Sequence, residues 1–154
     1  MDIENLLRLL KEHQVKFLII GAAAFPLYGY SRSTLDIDIF IEATPENAAA
    51  TLTALKALGY DVSELTVNEL LEKKVLIRQY LLETDIHPFV KGISFKEAWK
   101  NRQEGSIGMA QVSFASLEDL IKMKKAARRS KDIEDLKILK KILKGKSKGK
   151  KSLQ

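Results

Sequence analysis

Apolar residues at the start of the chain fall at Ile3, Leu6, Leu7 and Leu10, the i, i+3, i+4, i+7 spacing that lines one face of a helix. The next apolar run, VKFLIIG from Val15 to Gly21, has no polar gaps after Lys16 and ends on glycine, as a buried strand does. AAAFPLYG then suits a short helix, and LDIDIFI a second strand. Thr44 as N-cap with Pro45 at the first helical position predicts a helix that stops at Gly59. Thr66 with Glu69, Ser94 with Glu97 and Ser116 with Asp119 repeat the capping pattern before apolar runs and predict three more helix starts. Between these starts VLIRQYLL, TDIHPF and AQVSF read as strands, and Ser130 is placed to cap a last helix carrying Ile133, Leu136, Leu139 and Leu143. Elements in this order predict an α+β domain: a mixed central β-sheet flanked by helices and closed by C-terminal helices.

The second strand interrupts its own pattern. Side chains two apart on a strand share a face, so Asp36 and Asp38 point one way while Leu35, Ile37 and Ile39 point the other. Two carboxylates that close repel each other and resist desolvation, so something positive belongs beside them. One reading is an exposed face with Arg32 or a lysine nearby. The other is a divalent cation, Mg²⁺ or Mn²⁺, for which paired carboxylates on a rigid element are preorganised oxygen ligands. The chain has no cysteine, so a metal here must use oxygen or imidazole donors.

Composition bounds the setting. A chain of 154 residues, 45% hydrophobic, makes one compact domain. No apolar run is long enough for a membrane span, and the N-terminus is acidic and amphipathic, so a cytoplasmic protein without a membrane partner is expected. The net charge of +6 is unevenly spread, because the last ten residues, GKSKGKKSLQ, hold four lysines and no acid. A single domain over residues 1–144 is expected, followed by a basic disordered tail over 145–154, with RNA or DNA contact as that tail's alternative use. In KMKKAARRSK the basic residues cannot all share one helical face, so part of that run is solvated surface. Phe95 and Trp99, at helical spacing, read as core.

The stretch LIIGAAAFPLYGYSRSTLDIDIFIE, Leu18 to Glu42, resembles the signature of the nucleotidyltransferase fold shared by DNA polymerase beta, aminoglycoside nucleotidyltransferases and minimal nucleotidyltransferases. Its Arg-x-Thr-x-Asp-Ile-Asp form, Arg32 to Asp38, looks most like the bacterial branch related to AbiEii toxins. SLEDLIKMKKAARRSKDIEDLKIL, Ser116 to Leu139, is similar to that branch's closing helices. The resemblance, spanning about residues 15–143, implies a third carboxylate on a neighbouring strand, with Asp85 the candidate. It implies that Asp36, Asp38 and Asp85 are catalytic and bind Mg²⁺ or Mn²⁺. Gly21, Ala22, Arg32, Ser33 and Thr34 would then border the nucleotide, Lys124 would meet its triphosphate, and Asp132 would orient Lys124. The implied activity is transfer of an NMP group from an NTP to an acceptor hydroxyl on RNA, protein or a small molecule.

Ala22 departs from the pattern, standing where the family has a second glycine or serine. It removes a hydroxyl and a conformational freedom that Ser31, Ser33 or Thr34 would have to replace in part. An alternative is therefore a catalytically degenerate module that binds a nucleotide or a partner protein in a toxin–antitoxin-type system. A further alternative is a metal-dependent phosphohydrolase, if His87, which shares a strand face with Asp85, turns toward the metal.

Overall fold

The computed structural model describes residues 3–31, 36–78 and 83–152, with side chains as far as Lys146. Helix α1 (Ile3–Glu12) buries Leu6, Leu7 and Leu10, the stripe its spacing predicts. Strand β1 (Phe17–Ile20) is buried throughout and runs into a 3₁₀ helix, Gly21–Tyr28, which ends on Gly29 in the left-handed region. Strand β2 (Asp36–Ile41) follows, then helix α2 (Pro45–Leu58). Both predicted ends of α2 are present: the Thr44 side chain accepts from the Asn47 N–H, and Gly59 closes the helix at φ 110°.

Thr66 caps α3 (Val67–Glu72), Ser94 caps α4 (Phe95–Lys100) and Ser116 caps α5 (Leu117–Ala127), each accepting from the backbone N–H three residues on. Of the expected strand VLIRQYLL, β3 covers Val75–Ile77, and residues 79–82 lie outside the described residues. Strand β4 is Glu83–His87. Strand β5 (Gln103–Ile107, QEGSI) has no apolar alternation and is absent from the sequence-based reading. It forms as the partner of β6 (Ala110–Phe114), Gly108 at φ 58° turning the chain between them. The last helix, α6, opens at Asp132, two residues after the expected cap Ser130, and its backbone remains helical to Ser152. It thus continues through the stretch expected to be a disordered tail; lysine is a good helix former, and a helix already nucleated by packing can extend without further contacts.

The six strands form one mixed sheet in the order β3-β4-β2-β1-β6-β5. β1 pairs antiparallel with β2 and parallel with β6, while β2 pairs parallel with β4. Phe25, Phe40, Phe114, Leu18, Ile19 and Ile39 lie at the centre of the core. Phe95 stacks on Trp99 and meets the edge of Phe40, so both aromatics pack against the core as their spacing implied. Asn47, in the first turn of α2, accepts from the Lys16 N–H at 2.8 Å and donates to the carbonyls of Lys16 and Glu42 at 3.0 and 2.9 Å. That one side chain ties the entry of β1 to the exit of β2, which fixes the central strand pair on which the acidic residues stand.

Candidate active site

The register of the central strands brings Asp38 and Asp85 together. β2 and β4 run parallel with Asp38 opposite Asp85, and β1 on the other side sets Ile20 opposite Asp38. The chain leaving β1 turns at Gly21, whose φ is +67°. A Cβ on Gly21 would lie 2.6 Å from Asp38 Oδ2, so the turn closes over the carboxylate only because no side chain is there.

His87 lies two residues beyond Asp85 and turns to the same face, its Nε2 2.9 Å from Asp38 Oδ1. Ligand atoms of Asp38, Asp85 and His87 all lie within 4.8 Å of one another. Asp85, buried, accepts a hydrogen bond from Arg78 Nη1 at 2.7 Å, and Lys74 Nζ is 3.9 Å from its other oxygen. Asp36, one pleat before Asp38, sits opposite Glu83 on β4. The hydrogen bond between the Asp36 and Glu83 side chains, with some burial, holds the Glu83 carboxyl above its ordinary range. Two carboxylates and an imidazole converging from rigid strands form a donor set that suits Mg²⁺ or Mn²⁺, the imidazole favouring the latter.

Asp36, Asp38, Asp85, His87, Gly21 and Ala22 all line one cavity of about 620 Å³. The junction of α5 and α6 supplies further lining, including Lys124, Arg129, Lys131, Asp132 and Asp135. Lys124 Nζ lies 2.8 Å from Asp132 Oδ1 and 3.4 Å from Asp135 Oδ2. Arg129 clasps Asp132 through Nε and Nη2, at 2.8 and 3.2 Å. Burial would push the Asp132 carboxyl up, but the hydrogen bonds from Arg129 and Lys124 outweigh it and hold it at about 2. Asp135 also accepts from the Tyr30 hydroxyl at 2.8 Å, and Tyr30 stacks on Phe25 5.2 Å away, beneath the Lys124 ammonium.

Eight of the residues singled out in the sequence thus border this cavity: Gly21, Ala22, Asp36, Asp38, Asp85, His87, Lys124 and Asp132. Arg32, Ser33 and Thr34 lie outside the described residues. Arg78, Lys74, Tyr30 and Asp135 are not found by reading the sequence. Asp135 alone left a signal there, three residues beyond Asp132 on the same helical face. The other three come to the site through strand pairing and helix docking.

Over residues 1–144 the chain matches the family described as "Nucleotidyltransferase of unknown function (DUF6036)". Its fold is similar to the lincomycin-bound crystal structure of the lincosamide antibiotic adenylyltransferase LnuA, at a TM-score of 0.61 and 18% identity, over 92% of this chain and 98% of that one. It is also similar to TM1012 of Thermotoga maritima, described as a candidate nucleotidyltransferase, at a TM-score of 0.54 and 18% identity, over 91% and 89% of the two chains. No curated protein matches the sequence. At that identity the solved structures bear on the fold, and the match over residues 1–144 bears on the family. The chain belongs to this nucleotidyltransferase family, and its mixed sheet is the nucleotidyltransferase fold.

Proposed function

We propose that the protein transfers an NMP group from an NTP to an acceptor hydroxyl. The observation that carries the reading is the juxtaposition of Asp38 and Asp85, opposite each other on parallel strands beneath the Gly21 turn, in a cavity that α5 and the segment joining it to α6 border with cations. The acceptor oxygen attacks the α-phosphorus, the bond from that phosphorus to the pyrophosphate oxygen breaks, and the hydroxyl proton passes to a carboxylate. Asp85 is assigned as that base, which requires Arg78 to release it. Asp38 and Asp85, with His87 beside them and Asp36 one pleat away, would hold Mg²⁺ or Mn²⁺. When bound, the metal supplies charge neutralisation for the phosphates and acidifies the attacking hydroxyl. Gly21, Ala22 and Lys124 line the same cavity, and the backbone N–H groups of that turn and the lysine's ammonium are assigned to the triphosphate.

A second reading, a module that binds nucleotide without turnover, is favoured by the partners the carboxylates already have. Arg78 holds Asp85 and His87 holds Asp38, and Ala22 brings no hydroxyl to the turn. A phosphohydrolase is the third, supported by the position of His87. One assay separates them. The protein is incubated with each α-phosphate-labelled NTP, Mg²⁺ or Mn²⁺, and in turn total RNA, lysate protein, and small hydroxylic acceptors including lincomycin, the ligand in the LnuA structure. Label on an acceptor with release of pyrophosphate, abolished in Asp38→Asn and Asp85→Asn, is the expected result. Label released as free NMP would make it a hydrolase, and NTP retained intact would make it a binding module.

A further inference from the structure

The cavity has an uncharged stretch that neither the carboxylates nor the cations use. Phe89, Val90, Leu120, Met123 and Ala127 all line it. Phe89 is 62% exposed, although an aromatic side chain of its size is normally covered. Its position is not that of a loose loop tip. Pro88 before it is buried, Val90 and Ile93 form a β-bridge, and Gly92 at φ +99° sits so close to α5 that a Cβ there would lie 2.8 Å from the Lys122 carbonyl oxygen and 3.0 Å from Ala126 Cβ. The segment that carries Phe89 is therefore pinned to α5, and the ring is held out at the rim of the cavity. Lys91, two residues on, also lines the cavity, and among the described residues neither it nor Lys131 takes part in an ion pair.

We infer that Phe89 is the platform on which the base of the nucleotide stacks, with Val90, Leu120, Met123 and Ala127 as the apolar bed around it. The inference rests on the nucleotidyltransferase reading and adds to it the residue that receives the nucleoside end. A nucleoside triphosphate is long and two-sided, anionic at one end and a flat π-system at the other. This one cavity offers carboxylates suited to metal-bound phosphates, Lys91 and Lys131 at its border, and a rigid exposed ring. Stacking on an aromatic face tolerates any base, so the platform supplies affinity for nucleoside over bare phosphate and leaves the choice of base to polar contacts.

The test compares an NTP with inorganic tripolyphosphate, both with Mg²⁺ and without acceptor, by calorimetry. Phe89→Ala is expected to weaken binding of the preferred NTP by about 5- to 100-fold, to leave tripolyphosphate affinity unchanged, and to keep the melting temperature, the ring being exposed. Phe89→Trp should retain NTP affinity, and its added indole fluorescence should be quenched by the NTP and not by tripolyphosphate. Wild-type affinity for NTP in Phe89→Ala overturns the platform while leaving nucleotide binding itself intact. So does a wild-type protein that binds NTP no more tightly than tripolyphosphate. A wild-type protein that binds neither overturns the platform and the nucleotidyltransferase reading together.

Discussion

With Asp132 and Asp135 both within reach of its ammonium, the Lys124 side chain is 14% exposed, and methionine in its place takes a counter-charge from two buried carboxylates. Removing one member of a buried charge cluster destabilises because the remaining charges stay desolvated. Lys124→Met is therefore expected to lower stability by about 2–3 kcal/mol in urea titrations, and to weaken NTP binding far more than the same change at the exposed Lys122 or Lys125. Equal losses of affinity at all three positions would reduce Lys124 to one member of a diffuse basic surface. The same cluster sets an acid limit. Asp132 is held at about 2, below the ordinary carboxylate value of 3.8, so in the folded state it stays ionised where the unfolded chain takes up a proton. Its contribution, about 2 kcal/mol, is present above pH ~4 and lost as the pH falls toward ~2. Asp132→Asn should lose that slope of stability against pH, checked by denaturation at stepped pH; an unchanged slope would mean that another carboxylate carries it.

Among the elements, those fixed by local chemistry were legible in advance. Thr44, Thr66, Ser94 and Ser116 announce their helices because a cap needs only its own next three residues. β5 gave no signal, since an edge strand reading QEGSI has no buried face to impose alternation and exists through its partner β6. Asp36 and Asp38 stood out because charge on a core strand is visible in one dimension. The meeting of Asp38 with Asp85, and of Arg78 and His87 with them, depends on pairing across the sheet, which periodicity does not carry. Asn47 shows how much rests on one such long-range tie. Asn47→Ala leaves the Lys16 N–H without its acceptor and takes one donor from each of two carbonyls that still accept from the Glu42 and Thr44 N–H groups, and is expected to cost about 1–3 kcal/mol of stability. It should also lower activity, because β2 carries Asp36 and Asp38; full stability in the variant would mean that water replaces the clamp.

On the scale of the whole molecule, the charge is distributed between a nearly balanced body and a basic C-terminal helix. No described helix is long and apolar enough to cross a membrane. Beyond Leu143 a Cβ on Gly145 would meet nothing within 4 Å, and the Lys146 ammonium reaches the Tyr28 ring at 4.9 Å. Truncation after Leu143 is thus expected to change stability by no more than about 1 kcal/mol, the worth of one such cation–π contact. If the acceptor is RNA, the truncated protein should bind it more weakly and with a flatter dependence on salt, since five lysines are gone. RNA affinity unchanged across a salt series would leave the C-terminal lysines without a part in RNA binding.

The hydrogen bond from Tyr30 to Asp135 joins residues 105 positions apart, and it imposes an order in time. A chain made from its N-terminus acquires Asp38 and Asp85 first, and Lys124 before either of the carboxylates that surround it. At about 5–20 residues per second, the fifty residues from Asp85 to Asp135 take some seconds to appear. During that interval the sheet can pair, but its cavity lacks α6, and the lysine awaits its counter-charges. A growing chain therefore carries its acidic residues before the cavity they line is whole, and that cavity is completed only when the last helix docks.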